Sequence, residues 1–246
     1  MKSLAYISLV LLLSSCSHTI NFRASHFAVP ITGENQWDGH VAIVGSAVTK
    51  VTVVNDTSAN PPRRDSILIN SDVDAGDLVA ANNVGVDLSL SVLKSLDVYL
   101  DNSLLGLRWQ FLNHSAKSDV WVASVQGAYG TKSTSTSTTY GNDSADSDSD
   151  VKTQQVGASV GYKLARVVPY ISYIHETHDV STKVNNNHGD FGPYSDKGTH
   201  AYTTVGVSSH GKGLVYAVEY NFITIDWDRS KRDYQNAVGL KLGFAW

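Results

Sequence analysis

The sequence predicts an all-β protein, an antiparallel up-and-down transmembrane β-barrel of ten strands. Three observations support this prediction. Apolar residues alternate with small polar residues along most of the chain, which is the pattern of strands with two different faces. The polar face carries mainly Gly, Ser, Ala and Gln, which suits a narrow enclosed lumen. Short and long connections alternate between the strands, as they do in transmembrane barrels.

The last strand shows the alternation most clearly. Leu240, Leu242 and Trp246 share one face, and we expect this face to contact lipid. Lys241 and Gly243 lie on the opposite face, which we expect to line the lumen. A small polar residue should be tolerated there, so Gly243→Ser is expected to be mild.

The same period of two predicts nine further strands. The first is traced from Val41 to Val53. A count of eight strands stays open if weak segments such as Leu96 to Leu100 are not separate strands. The remaining strands begin near Val84, Leu96, Leu105, Trp121, Val156, Val167, Ala201 and Leu214.

The lengths of the connections predict the orientation of the barrel. Transmembrane barrels have short periplasmic turns and longer external loops, so we expect both ends of the barrel chain in the periplasm. The Ser/Thr/Asp-rich stretch 131–152 is expected to be a solvated external loop that buries little. The short connections are 94–95, 114–118, 165–166 and 210–213, and the long ones are 55–83, 131–152, 179–198 and 226–233.

Four charged residues are expected on the inward face of the strands. They are Arg108, Lys163, Glu219 and Lys241. Because an unpaired charge inside a narrow barrel is costly, we expect these residues to pair and to fill the lumen.

The first residues form a targeting segment. Lys2 provides a positive charge, residues 4–13 are almost continuously apolar, and two small residues precede Cys16. This order is typical of a secretory signal peptide, which we place at residues 1–15. The apolar run is too short for a spanning helix, which needs about 20 residues.

The end of this segment, Leu13-Ser14-Ser15-Cys16, resembles the lipobox of bacterial lipoproteins. In that family the Cys becomes the acylated first residue of the mature chain. The resemblance implies lipidation of Cys16 and a lipidated tether over residues 16–36. The transmembrane barrel, which the strand pattern predicts, is expected over residues 37–246. An ordinary signal peptide with a chance Cys is the alternative.

The alternating strand that ends on Trp246 resembles the C-terminal strand of bacterial outer-membrane barrels. That strand is recognised by the barrel assembly machinery, and its last residue is more often Phe, so Trp246 departs from the pattern. The resemblance implies a location in the cell outer membrane of a Gram-negative envelope. It also implies outer-membrane lipid and the assembly machinery as partners.

Composition restricts the remaining possibilities. The formal net charge is −4, which argues against nucleic-acid binding because such proteins carry a basic surface. Cys16 is the only cysteine, so no disulfide supports the mature chain. The main alternative fold is a secreted, lipid-anchored β-sandwich, which also alternates but exposes its polar face to water.

Three short motifs are candidates for a catalytic or metal site. Gly157 to Gly161 matches the Gly-x-Ser-x-Gly string of serine hydrolases, but it lies inside a strand instead of a strand-to-helix turn. His175, Glu176 and His178 suggest a metal site, but residues three apart on a strand face opposite ways. Asp146, Asp148 and Asp150 resemble the start of a calcium loop without its Gly and last acid. We therefore predict no catalytic, cofactor or metal site.

The sequence therefore predicts a structural or surface-interaction role through the external loops, and not an enzyme. The first alternative is a passive channel for small solutes, and the second is an outer-membrane enzyme.

Overall fold

The computed structural model describes residues 17–72, 84–114, 118–140 and 143–246. The predicted signal peptide and Cys16 lie outside these residues, so the lipidation of Cys16 stays a prediction. Across the described ranges, no helix is long and apolar enough to cross a membrane. The described residues form thirteen strands: β1 (His18–Arg23), β2 (Gly39–Ser46), β3 (Val48–Val54), β4 (Leu68–Asp72), β5 (Val84–Leu93), β6 (Leu96–Asp101), β7 (Leu104–Leu112), β8 (Val120–Tyr140), β9 (Asp143–Lys163), β10 (Val167–Asn186), β11 (Gly189–Ser209), β12 (Gly213–Trp227) and β13 (Asp233–Ala245).

Ten of these strands form one antiparallel sheet that closes into a barrel. From β5 to β13 each strand pairs with the next one in the chain, and β2 joins both ends by pairing with β5 and β13. The prediction of an all-β, antiparallel architecture is confirmed, with ten strands in the large sheet. Because the sheet is closed, the strands have neighbours on both sides wherever all ten pair, which for β8 is up to Gly130 and for β11 is from Gly198 on.

The first predicted strand is divided into two. β2 ends at Ser46, and the chain then leaves the barrel wall, so that β3 pairs with β1 and β4 in a separate three-stranded sheet inside the barrel. The prediction of one strand from Val41 to Val53 was therefore wrong. Most residues of β3 are buried, and Val51 and Val53 have no exposed surface. The alternation of residue types does not distinguish a strand of the wall from a strand inside it.

The two ends of the barrel differ. We call the end with the connections 94–95, 113–119, 164–166 and 210–212 the short-turn end, and the opposite end the extended end. At the extended end, the stretch 131–152 is not a loop, because β8 continues to Tyr140 and β9 begins at Asp143. Residues 179–186 and 189–198 likewise belong to β10 and β11. Two of the four predicted long loops, 131–152 and 179–198, are therefore tall hairpins of the barrel wall.

The hairpin of β8 and β9 packs against the three-stranded sheet inside the barrel. Ala145, Ser147, Ser149 and Val151 on β9 face inward and are buried, although the stretch was expected to bury little. His18 of β1 bonds to Ser147 and Ser149, and Val151 belongs to the same apolar cluster as residues of β1 and β3. These partners are remote in the sequence. For that reason the composition of the stretch alone predicts a solvated loop.

The outward face of the barrel is apolar in a continuous band. In this band the aromatic side chains form two rows. Trp109, Trp121, Tyr162 and Trp246 lie towards the short-turn end, and Tyr129, Tyr173, Tyr220 and Tyr234 lie towards the extended end. Between the rows the exposed side chains include Ile43, Val86, Leu107, Val125, Val156, Val205, Val218, Leu240 and Leu242. Beyond the second row the outward residues of β9 become polar, with Asp146, Asp148, Asp150 and Lys152 all exposed.

Gly243 lies on the inward face of β13, but there is no space beside it. A Cβ atom at Gly243 would lie 2.1 Å from the carbonyl oxygen of Val41 and 2.5 Å from the Cα of Ala42. The expectation that Gly243→Ser is mild was therefore wrong, because the neighbouring strand β2 occupies the place of the side chain.

Candidate functional site in the barrel lumen

The N-terminal part of the chain runs through the lumen. We call residues 18–34 the luminal segment. It begins at the extended end, where His18 bonds through Nδ1 to Ser147 and through Nε2 to Ser149, at 2.7 and 2.9 Å. It reaches the short-turn end at Thr32, whose N–H donates to Gln110 on β7. This arrangement differs from the predicted tether of residues 16–36, since every residue of the segment except Glu34 is buried or half-buried in the barrel.

His18 is held as a neutral ring at the extended end. Burial lowers the pKa of His18 below its ordinary value, against a smaller opposing effect of the Asp148 carboxylate. A neutral imidazole offers one donor and one acceptor, and the two serine hydroxyls match both. The start of the luminal segment is thereby fixed to the hairpin of β8 and β9.

The four charges that were expected to face inward are all buried, and each has polar partners. Lys241 Nζ lies 2.8 Å from Asp87 Oδ1, and Lys163 Nζ lies 3.0 Å from Glu34 Oε1. Arg108 donates through Nε to Gln126 at 3.1 Å. The prediction of their inward orientation is confirmed, but they do not pair with each other.

Glu219 binds the luminal segment directly. Its carboxylate accepts hydrogen bonds from the hydroxyl groups of Ser25 and Tyr170 and from the backbone N–H of Phe27. Two of these three donors belong to the luminal segment. The charge of Glu219 is therefore stabilised by a part of the chain that the barrel encloses.

Apolar packing adds a second contact surface near the extended end. The three-stranded sheet packs against the inward faces of β9 to β13 in one cluster. Its buried members include Ile20, Phe22, Val51, Val53, Val151, Ile174, Val180, Ile223, Ile225 and Trp227. Above this cluster, Asn186 donates to the carbonyl oxygens of Thr57 and Ala59, and Arg64 lies 2.7 Å from Asp196. Residues 55–66 therefore cap the extended end of the barrel.

A cluster of one carboxylate and two histidines lies where the luminal segment meets β10. Glu176 and His178 come from β10, and His26 comes from the luminal segment. His26 Nε2 lies 3.4 Å from Glu176 Oε1, and His178 Nε2 lies 3.6 Å from Glu176 Oε2. All three side chains are at most 6% exposed. Glu176 also accepts hydrogen bonds from Gln155 Nε2 and from the Tyr202 hydroxyl.

His200 is a further member of this region. It pairs with Glu176 across the strands, and ligand atoms of Glu176, His178 and His200 all lie within 4.8 Å of one another. However, the Trp227 indole N–H donates to His200 Nε2 at 3.0 Å, and His200 Nδ1 lies 3.2 Å from the Tyr202 hydroxyl. Because a Trp N–H is only a donor, His200 carries its proton on Nδ1. Both of its nitrogens are therefore engaged, and it acts through Tyr202 to position Glu176.

The cluster borders a cavity at the extended end. The cavity has a volume of about 250 Å³ and is lined by His26, Glu176 and His178, together with Arg23 and Asp101. The three buried side chains therefore form part of the wall of this cavity.

Comparisons with known proteins give distant similarities only. No protein-family model matches the sequence, and no curated protein is significantly similar to it. Among solved structures, the chain is similar to Ail, the attachment invasion locus protein of Yersinia pestis. The sequence identity is 14%, the match covers 86% of this chain and 99% of that one, and the TM-score is 0.37. For the outer-membrane expressed OmpT of Vibrio cholerae, the values are 12%, 85%, 98% and 0.16. At these TM-scores no function follows from the similarities.

The three short motifs of the sequence all lie on strands of the barrel wall, β9 and β10. Ser159 of the Gly-x-Ser-x-Gly string lies inside β9 and faces Ser124 at 2.8 Å. Asp146, Asp148 and Asp150 point outward from the same strand. His175 faces away from Glu176 and His178, as the two-residue period predicts.

Sequence reasoning missed His26 as a neighbour of Glu176 and His178. His26 lies 150 residues before Glu176 in the sequence. The useful signal was the spacing of Glu176 and His178, which places both side chains on one face of a strand. No sequence pattern indicates that the N-terminal segment enters the barrel.

Asp87→Asn tests the buried pair between β5 and β13. This substitution leaves Lys241, which is 5% exposed, without its carboxylate. We expect a loss of about 3–5 kcal/mol in the free energy of unfolding. The measurement is a urea titration in which the folded fraction is read from the heat-modifiable band, the gel band that the folded barrel gives only in unheated samples.

Asp65→Asn is the matched control, since Asp65 pairs with Arg63 at the surface, where both side chains are more than half exposed. Its effect should stay within about 1 kcal/mol. The double variant Asp87→Leu/Lys241→Met should recover most of the lost stability. Equal effects of Asp87→Asn and Asp65→Asn would contradict the importance of the buried pair.

Proposed function

We propose that this chain is an outer-membrane β-barrel with a structural or surface-interaction role, in which its own luminal segment closes the lumen. The filled lumen is the observation that carries the proposal. Residues 18–34 run from the extended end to the short-turn end and bond to the wall along the way. A passive channel, the first alternative, needs an open path, so this arrangement favours a surface role.

The outward surface supports the membrane location. At about 3.3 Å per residue and a tilt of about 40°, the alternating segment Val238 to Trp246 rises roughly 20 Å, close to the apolar band of about 25 Å in outer-membrane barrels. Aromatic rows at both edges of the band match the interfacial girdles of such barrels. A β-sandwich in water would expose this apolar area without a partner.

The asymmetry of the ends supports the orientation. Outer-membrane barrels place short turns in the periplasm, so the short-turn end is periplasmic. The extended end then projects beyond the membrane, with the exposed acidic and hydroxyl side chains of β8 and β9 around it. This polar wall, and not a set of flexible loops, is the surface that other molecules meet.

Three further predictions from the sequence are part of this proposal. Lipidation of Cys16, recognition of the C-terminal strand by the assembly machinery and the absence of enzyme activity stay predictions. Because His18 lies at the extended end, a lipid on Cys16 would be attached on the external side. This differs from the expectation that both ends of the barrel chain, with the tether 16–36 before the first strand, lie in the periplasm.

Leu242→Arg tests the membrane band. Leu242 is 60% exposed on the outward face of β13, and an Arg at the middle of the bilayer costs roughly 2–4 kcal/mol. We expect a strong loss of the folded, heat-modifiable band in outer-membrane fractions. The control is Ser181→Arg, which adds the same charge outward on β10 but beyond the band. Equal yields of both variants would contradict a membrane position for this band.

Conductance of the purified full chain in planar bilayers tests the closed lumen. We expect no steady ion conductance from the wild type, and measurable conductance after deletion of residues 18–34. The deletion variant is used only where it gives the heat-modifiable band. A steady wild-type pore, or a folded deletion variant that stays closed, would count against the proposal.

Labelling of engineered cysteines on intact cells tests the orientation. His188→Cys lies in the turn between β10 and β11, at the extended end, and Lys212→Cys lies in a turn at the short-turn end. A membrane-impermeant maleimide should label His188→Cys on intact cells and Lys212→Cys only after the outer membrane is opened. The reverse pattern would invert the topology.

A further inference from the structure

One edge of the tall part of the barrel wall is open. β7 pairs with β8 only up to Gly130, and β8 continues to Tyr140 paired with β9 alone. We call residues 131–140 the open edge. In an antiparallel strand, successive residues direct their backbone N–H and C=O groups alternately to one side and to the other. Half of these groups in the open edge therefore point away from β9, where no strand of the described residues pairs with them.

The opposite edge of the same wall is protected. β11 pairs with β12 only from Gly198 on, so residues 189–197 have no neighbouring strand on that side within the described ranges. Pro193 in this stretch has no N–H to donate, and the register between β10 and β11 shifts beside it. Arg64 of the capping residues also lies 2.7 Å from Asp196. Proline, an irregular register and a covering segment are usual protections of a sheet edge.

The open edge has none of these protections. It consists of Ser and Thr with one Lys and one Tyr, contains no Pro or Gly, and keeps a regular register with β9. Its one charged side chain, Lys132, is directed to the luminal segment, where Nζ donates to the carbonyl oxygen of Asn21 at 3.4 Å. Threonine also favours extended strands. The stretch is therefore suited to receive a further strand, which is how extended peptides bind to sheet edges.

The outward face beside the open edge is acidic. Three exposed carboxylates lie at every second position of β9: Asp146, Asp148 and Asp150. Their cross-strand partners on the open edge have short side chains: Ser137, Ser135 and Ser133. A strand added to the open edge lies two strand spacings, about 10 Å, from β9. Long basic side chains on the outward face of such a strand reach over the serines to the carboxylates.

We propose that the open edge binds an extended segment of another protein by strand addition, and that this segment carries Lys or Arg at alternate positions. Backbone hydrogen bonds attach the segment, and the two-residue repeat of the carboxylates selects basic side chains on one of its faces. The inference deepens the proposed surface role and rests on it, since a partner outside the cell reaches the edge only where the extended end is external.

A second copy of the chain in the same membrane does not fit this edge. The strands of a barrel all tilt in one sense, by about 35–45°, so the facing walls of two parallel barrels tilt in opposite senses. Their β8 strands would cross at a large angle and would not lie side by side. A separate extended segment has no such restriction and follows the edge.

Binding of a designed peptide to the folded full chain in detergent tests the proposal. The probe is a fluorescent peptide of the same length as the open edge that alternates Lys and Thr, and the matched control peptide alternates Glu and Thr. In fluorescence anisotropy we expect saturable binding of the Lys/Thr peptide at low salt and weaker binding at high salt. The Glu/Thr peptide should not bind.

Substitution of the carboxylates tests the preference for basic side chains. The triple variant Asp146→Asn/Asp148→Asn/Asp150→Asn should weaken the affinity for the Lys/Thr peptide by about 3- to 100-fold, as expected for the loss of three exposed ion pairs. The matched control removes three other exposed carboxylates in the same way, at Asp179, Asp190 and Asp228. It should bind nearly as tightly as the wild type.

Hydrogen exchange measured by mass spectrometry distinguishes strand addition from attraction between charges alone. Amides at an unpaired edge exchange fast, whereas amides that donate to an added strand are protected. We therefore expect fast exchange within residues 131–140 of the free protein, and protection of part of these amides in the complex with the Lys/Thr peptide.

The proposal is overturned if the wild type does not bind the Lys/Thr peptide or binds the Glu/Thr peptide equally well. Equal affinities of the two triple variants, or binding without protection of residues 131–140, would also overturn it. Protection of this stretch in the free protein would show that another segment or a second copy already covers the edge, with the same consequence. None of these measurements depends on the orientation of the barrel, which the labelling of His188→Cys and Lys212→Cys tests separately.

Discussion

The fold depends on the pairing of buried charges inside a narrow barrel. Arg23 and Glu34 of the luminal segment neutralise Asp101 and Lys163 of the wall. A barrel of the same sequence without the segment would lose both of these pairs, and Asp101, which is 4% exposed, would also lose its bond to His26. A buried charge that loses its partners costs several kcal/mol. The segment is therefore a part of the interior of the barrel, comparable to the core of a soluble domain.

The small inward residues of the wall have the same explanation. A Cβ atom at Gly239 would lie 2.1 Å from Ser25 Oγ, and one at Gly161 would lie 2.9 Å from Pro30 Cγ. Glycine at these two positions leaves space for a chain that passes through the lumen. The Gly/Ser composition of the inward face indicated a narrow lumen from the sequence. The structure adds that the space is used by the chain itself.

The part of the structure that sequence reasoning predicted is the part that depends on a local period. Alternation placed nine strands of the wall and part of the tenth, β2, and it gave the inward orientation of Arg108 and Lys241, because the side chains of a strand alternate whatever lies opposite. It could not place His18 between Ser147 and Ser149, or His26 beside Glu176, since these contacts join residues far apart in the sequence. The prediction of a loop at 131–152 was wrong for the same reason: the buried side chains of β9 are small, and they contact the N-terminal segment.

The path of the luminal segment also restricts how the barrel can form. β2 follows the segment directly, and the barrel closes where β2 pairs with β13, the last strand. The segment lies inside this closed ring and crosses it from one end to the other, while residues 55–66 cap the extended end through Asn186 and Asp196. Insertion of the segment into a finished barrel would require the capping contacts and the charge pairs to form in a confined channel. The pairing of β2 with β13 is therefore the contact that closes the wall around the segment.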